Sequence, residues 1–138
     1  MILSELVNFS IGKDNWIENF SRSKLSENAV VFEDDSNTGY FYAWSIKLNK
    51  ISDALHIYNV EDVIDKEKPC SIGFVWSDDE QVVALYINNY CHALFDFSNN
   101  AGYCRNGFPE ANKSWTKDKN RVLTDELVMK YFDFRSDK

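Results

Sequence analysis

A chain of 138 residues, 44% hydrophobic and 15% aromatic, has the size of one ordinary domain and enough large rings to build a core without disulfide staples. Its 22 acidic side chains outweigh 15 basic ones for a formal net charge of -7, a field that repels phosphate and disfavours nucleic acid and anionic membranes as partners. The opening residues Met1-Ile2-Leu3-Ser4-Glu5-Leu6 lack the basic region and long apolar stretch of a secretory signal, no segment is long enough to span a bilayer, and three cysteines without a CxxC pair fit reduced thiols. A single cytoplasmic domain over residues 1–138 is therefore expected.

In chain order, residues 15–20 (NWIENF) come first; Trp16, Glu18 and Phe20 do not make a helical stripe, and the segment leans toward a strand. Residues 29–33 and 40–44 are β-favouring runs on either side of Asp34-Asp35-Ser36-Asn37-Thr38-Gly39, which predicts a hairpin whose glycine supplies a positive φ. Alternation puts Tyr40, Tyr42 and Trp44 on one face and Phe41 and Ala43 on the other. A third strand is expected at 53–58, with Ala54, His56 and Tyr58 opposite Leu55 and Ile57. Residues 61–69, charged and closed by Pro69, read as a helical turn or loop, after which runs at 72–76, 82–87 and 91–97 predict two more hairpins. Residues 98–109 read as irregular, followed by a basic stretch, Lys113, Lys117, Lys119 and Arg121 with Trp115 inside it, expected to be a solvated loop. Thr124-Asp125-Glu126 then resembles a helix start, with Thr124 as N-cap, and Leu123, Leu127, Val128, Tyr131 and Phe132 form an apolar stripe. The predicted class is α+β, a mainly antiparallel meander of about six or seven strands with a C-terminal helix packed on the sheet.

Catalytic and metal chemistry find little support in these residues. His56 and His92 are the two imidazoles, and Cys91 and His92, adjacent on a strand, point to opposite faces and do not pair as nucleophile and base. The thiols are not clustered for zinc, and the Asp34–Gly39 string read as a calcium loop fails at its twelfth position, where Ser45 stands in place of a bidentate glutamate. No catalytic residue, metal or cofactor is expected. The acidic turns Glu33-Asp34-Asp35 and Asp78-Asp79-Glu80 are either solvated charge or docking patches for basic side chains. The aromatic surplus is open in the same way: Tyr40, Tyr42, Trp44, Tyr58, Trp76 and Tyr86 either line a groove or are buried by a curled sheet.

The strings Val30-Val31-Phe32-Glu33-Asp34-Asp35 through Thr38-Gly39-Tyr40-Phe41-Tyr42-Ala43, then Asp53-Ala54-Leu55-His56-Ile57-Tyr58-Asn59-Val60, and later Phe95-Asp96-Phe97, Gly102-Tyr103-Cys104-Arg105 and Phe108-Pro109, resemble a family of small bacterial domains of unknown function. That resemblance covers residues 28–109 and brings no activity with it. In size, charge and expected location the chain is also similar to bacterial immunity proteins, which neutralise toxins delivered between competing cells. The similarity implies a non-enzymatic protein that binds a basic toxin domain, with a nuclease as one candidate, and the residues to carry it are Glu33, Asp34, Asp35, Tyr40, Tyr42, Trp44, Asp78, Asp79 and Glu80. The alternative is a small-molecule binder or enzyme with a pocket around His56, Tyr58, Cys104 and Arg105.

Overall fold

The computed structural model describes residues 2–21, 28–110 and 120–132. Among these residues ten strands form two antiparallel sheets, more than the six or seven expected for a single meander. The first sheet is β3 (Asn15–Phe20), β4 (Asn28–Asp34), β5 (Thr38–Ser45) and β6 (Lys50–Asn59), in that order. In the second, β1 (Ile2–Leu3) and β2 (Val7–Phe9) both pair with β7 (Cys70–Trp76), which continues through β8 (Val82–Ile87), β9 (Tyr90–Asp96) and β10 (Ala101–Cys104). The 61–69 stretch is a short 3-10 turn at Val60–Asp62 followed by turns, as the sequence predicts. Among the described residues no helix is long and apolar enough to cross a membrane, which says nothing of crossing by strands.

Period-two alternation in β5 turns Phe41 and Ala43 inward, where Phe41 meets Phe95 at 4.9 Å and Phe74 at 6.1 Å between ring centroids. Phe41 belongs to one sheet and the other two to its partner, so these rings join the sheets into a sandwich. Phe32, Leu55, Ile72 and Leu85 close the same core, and burying each such side chain contributes about 1.5–3 kcal/mol. The helix α1 (Asp125–Tyr131) starts as expected, with Thr124 Oγ1 accepting from the Leu127 N–H at 3.1 Å and Asp125 and Glu126 in its positive first turn. Val128 and Phe132 pack with Val75, Ala84 and Leu94, so α1 covers the outer face of the second sheet. Tyr131 adds a bond from its hydroxyl to Asp96 Oδ2 at 2.9 Å.

Four local expectations are corrected. The 98–109 segment contains β10, whose Ala101 and Tyr103 help to form the second apolar cluster while Cys104 joins the first; too short to stand out, it is held by β9 and by residues 121–123 through Cys104. Gly39 is not the positive-φ residue of the first hairpin; Ser36 is, at φ 79°, and Gly39 matters because a Cβ there would lie 2.6 Å from the Tyr58 ring. The register between β5 and β6 skips Ile57, a bulge that swings Tyr58 to the inner side, away from His56. Finally, Arg121 is no solvated cation: it is 2% exposed and ion-paired to Asp53, donating also to the carbonyls of Gly102, Pro109 and Glu110. Lys113, Trp115, Lys117 and Lys119 lie outside the described residues.

Candidate binding face

The first sheet has an outer face that α1 does not reach, and among the described residues no second α-helix covers it. Register assigns its residues. Opposite Tyr40 of β5 stand Glu33 of β4 and His56 of β6; opposite Tyr42 stand Val31 and Ala54; opposite Trp44 stand Ala29 and Ile51. Along β3, Trp16, Glu18 and Phe20 pair with Glu33, Val31 and Ala29 and so join the same face.

The rings on this face form one continuous line. Phe108 meets His56 at 5.9 Å, His56 meets Tyr40 at 5.5 Å, and Tyr40 stacks on Tyr42 at 5.9 Å with planes 5° apart. Tyr42 then meets Trp16 at 6.4 Å, and Trp16 meets Trp44 at 6.4 Å with perpendicular planes. Trp16 and Phe20 are 50% and 52% exposed, a large apolar investment in surface for a strand with a covered alternative on its inner side. At the Trp16–Trp44 end a recess of about 280 Å³ is walled by those two indoles, Glu18, Phe20, Val31 and Ile46.

Polar groups fix the rings in place. Tyr42 donates to Glu33 Oε1 at 2.9 Å, and burial, reinforced by that carboxylate, pushes the phenol far above its ordinary range, so it remains a donor. Asn106 Nδ2 donates to His56 Nδ1 at 2.7 Å, which assigns the other nitrogen, Nε2, as the donor to Asn59 Oδ1 at 2.9 Å. Both imidazole nitrogens are thus committed. His92, the other imidazole, is pulled down to about 4 by burial and by Arg105, and burial raises the thiols of Cys91, to about 11, and Cys104.

Of the nine partner-binding candidates, Glu33, Tyr40, Tyr42 and Trp44 come together on this face, and the others do not. Asp34 is buried, contrary to a docking role; Oδ2 accepts from the Tyr58 hydroxyl at 2.6 Å and the Gly12 N–H at 2.8 Å, and Oδ1 from the Ser36 N–H. Asp35 is exposed but caps the hairpin, accepting from the N–H groups of Asn37 and Thr38, bonds that lower its pKa. Asp78 and Asp79 are exposed on the β7–β8 turn, whereas Glu80 is buried there beneath the Asn28 amide, which bonds its carbonyl. Because Asn28 begins β4 and Asp34 ends it, the two acidic turns sit at opposite ends of a seven-residue strand, about 20 Å apart, and form no single patch.

The alternative pocket is not assembled either. Cys104 is fully buried, Tyr58 points to Asp34, and Arg105 donates to Cys91 O, pairs with Asp125 at 2.9 Å and lies over Tyr90. His56 lines a shallow recess with Thr38, Tyr40, Asn59, Asn106 and Phe108 instead. Among the described residues no three histidine, cysteine or carboxylate side chains come together as a metal site. Sequence reasoning missed the contributions of Trp16, Phe20 and Phe108; the Trp16-Glu18-Phe20 alternation was the available signal for two of them.

Comparison with known proteins agrees in extent with this architecture. The model of a family described as "Uncharacterized protein conserved in bacteria (DUF2251)" matches residues 9–132, a wider span than 28–109, so that β3 and α1 fall within the family. A Haemophilus influenzae protein named "Uncharacterized protein" is 39% identical over 95 residues, 66% of this chain and 59% of its own length. The chain thus spans less than two thirds of that relative. No solved structure matches. With nearly all of its strands and its helix inside the matched span, the chain belongs to this bacterial family, the uncharacterised conserved proteins of DUF2251.

Proposed function

We propose that the chain is a non-enzymatic binding protein that docks through the aromatic outer face of its first sheet, and that its partner is a basic protein, a toxin domain neutralised by direct contact. The observation that supports this reading is the unbroken line of six rings from Phe108 to Trp44 on a face open among the described residues, in a chain of net charge -7. Tyrosine and tryptophan are the residues that anchor protein interfaces, and the acidic field would speed encounter with a basic surface. The Tyr40–Tyr42 stack turns these two ring faces toward each other and leaves their edges for a partner's side chains. The immunity role rests on analogy of size and charge.

A photo-crosslinking residue placed at Tyr40, in the bacterial host, tests both parts. It should trap one basic protein that a crosslinker at Glu126 on α1 does not, and Tyr42→Ala should abolish the capture. The trapped protein, expressed alone, should arrest growth, and co-expression of this chain should restore it. Equal labelling from both positions would reject the face; a trapped partner that is harmless when expressed alone would reject the toxin reading while leaving the face.

A further inference from the structure

The recess at the Trp16–Trp44 end carries a more specific demand on whatever covers it. Glu18 forms part of its wall and has no ion-pair partner among the described residues, and Glu33, the other carboxylate of the face, is already engaged by Tyr42. A partner that seals this face takes Glu18 out of water. An apolar anchor alone would then leave a desolvated, unpaired carboxylate, one of the most unfavourable arrangements in an interface. The rest of the wall is the indoles of Trp16 and Trp44, with planes at 86°, the apolar side chains of Phe20, Ala29, Val30, Val31 and Ile46, and one neutral polar residue, Asn49, so Glu18 is its one charged lining residue. Lys47 and Lys50, on the neighbouring β5–β6 turn and at the start of β6, are not among the lining residues.

Resting on the docking face proposed above, we infer that this recess is a socket for one cationic side chain of the partner, an arginine. Two indoles and a carboxylate match a guanidinium on both of its properties: it stacks on aromatic rings as a cation and forks onto a carboxylate through parallel N–H bonds. A lysine ammonium is also drawn to a ring face and a carboxylate, but as a point charge it offers neither the planar stack nor the two-pronged fork. At about 280 Å³ the recess has room for one inserted side chain.

The test uses the full chain and a minimal probe, Nα-acetyl-arginine amide, with the citrulline analogue as a neutral control of nearly the same shape. Indole N–H signals are followed by two-dimensional NMR and assigned through Trp16→Phe and Trp44→Phe. The arginine probe should shift the Trp16 and Trp44 signals in a saturable way and leave that of Trp76, which is buried in the core, in place. The citrulline probe, and the arginine probe on Glu18→Gln, should each bind about tenfold more weakly. Glu18 is exposed, so this substitution leaves the core intact, and an unchanged melting temperature checks that. Equal shifts from both probes, or no shift from either, overturn the cationic socket. If the socket fails while Tyr42→Ala still abolishes partner capture, the docking face survives with a different anchor; if capture never depended on the face, the proposal beneath it has failed instead.

Discussion

The buried pair Arg121–Asp53 provides a sharp test of how the binding face is held, because its side chains are 1% and 3% exposed and it ties β6 of the first sheet to β10 of the second. Three substitutions probe it: Asp53→Asn, Arg121→Met and the two combined. Asp53→Asn keeps the shape but leaves a guanidinium whose remaining partners are the carbonyls of Gly102, Pro109 and Glu110, and with no counter-charge the cost is about 3 kcal/mol. Arg121→Met removes the cation that faces the Asp53 carboxylate and the donor to all three carbonyls, for about 4–5 kcal/mol. The double variant buries no charge yet still leaves the carbonyls short of a donor, so it should cost about 4 kcal/mol and fall short of the sum by roughly 3–4 kcal/mol. Urea unfolding followed by tryptophan fluorescence measures each term. The same loop carries Asn106 and Phe108 against His56, so both single variants should also loosen that end of the ring line, visible as loss of the contacts to the His56 ring by NMR. A single variant within about 0.5 kcal/mol of wild type, or strict additivity, would refute the reasoning by showing that the pair is solvated and the seam unsealed.

Three further outcomes are expected. Gly39→Ala drives a methyl group into the Tyr58 ring, which is fixed by its 2.6 Å bond to Asp34, and should cost about 1–3 kcal/mol in denaturant unfolding, whereas Tyr58→Ala with Gly39→Ala should show little additional loss from the alanine at 39. Stability should fall in acid in two windows with separate causes. His92, depressed to about 4 from an unfolded value near 6.5, favours the fold as the neutral form, so stability is full above about pH 6.5 and falls by up to about 1.4 kcal/mol per pH unit toward pH 4; His92→Gln should flatten that limb. At Asp96 burial acts to raise the carboxyl pKa, but bonds from Asn99, Ser98 and Tyr131 outweigh it and hold the group below its ordinary value, so its contribution is present above about pH 4 and lost as pH falls below, an effect Tyr131→Phe should weaken. Cys70, Cys91 and Cys104 are all buried, and a thiol reagent such as DTNB should label none of them in the native protein and all three in denaturant.

Period-two alternation and turn chemistry are local properties, and they made β4 through β9, the β4–β5, β7–β8 and β8–β9 hairpins and the capped helix legible from the residues alone. The same alternation put Tyr40, Tyr42 and Trp44 together on one face before any partner strand was known. What the sequence left open was which faces meet. A tyrosine on a strand reads alike whether its side is covered by a second sheet, by α1 or by nothing, and only the Phe41–Phe74–Phe95 packing decides that the Tyr40 side faces outward. Asp34 and Asp35 likewise look equivalent in a turn, yet three hydrogen bonds from distant and local groups bury the first while the second stays in water. Arg121 shows the limit most clearly: within a run of lysines it carries the signature of a solvated loop, and its burial depends on Asp53, 68 positions away, a pairing that no local pattern encodes. Local preference set the strands, the turns and the cap; the sorting of rings and charges into core and surface depended on contacts between segments far apart in the chain, because burial is a property of the partner that arrives and not of the residue that waits.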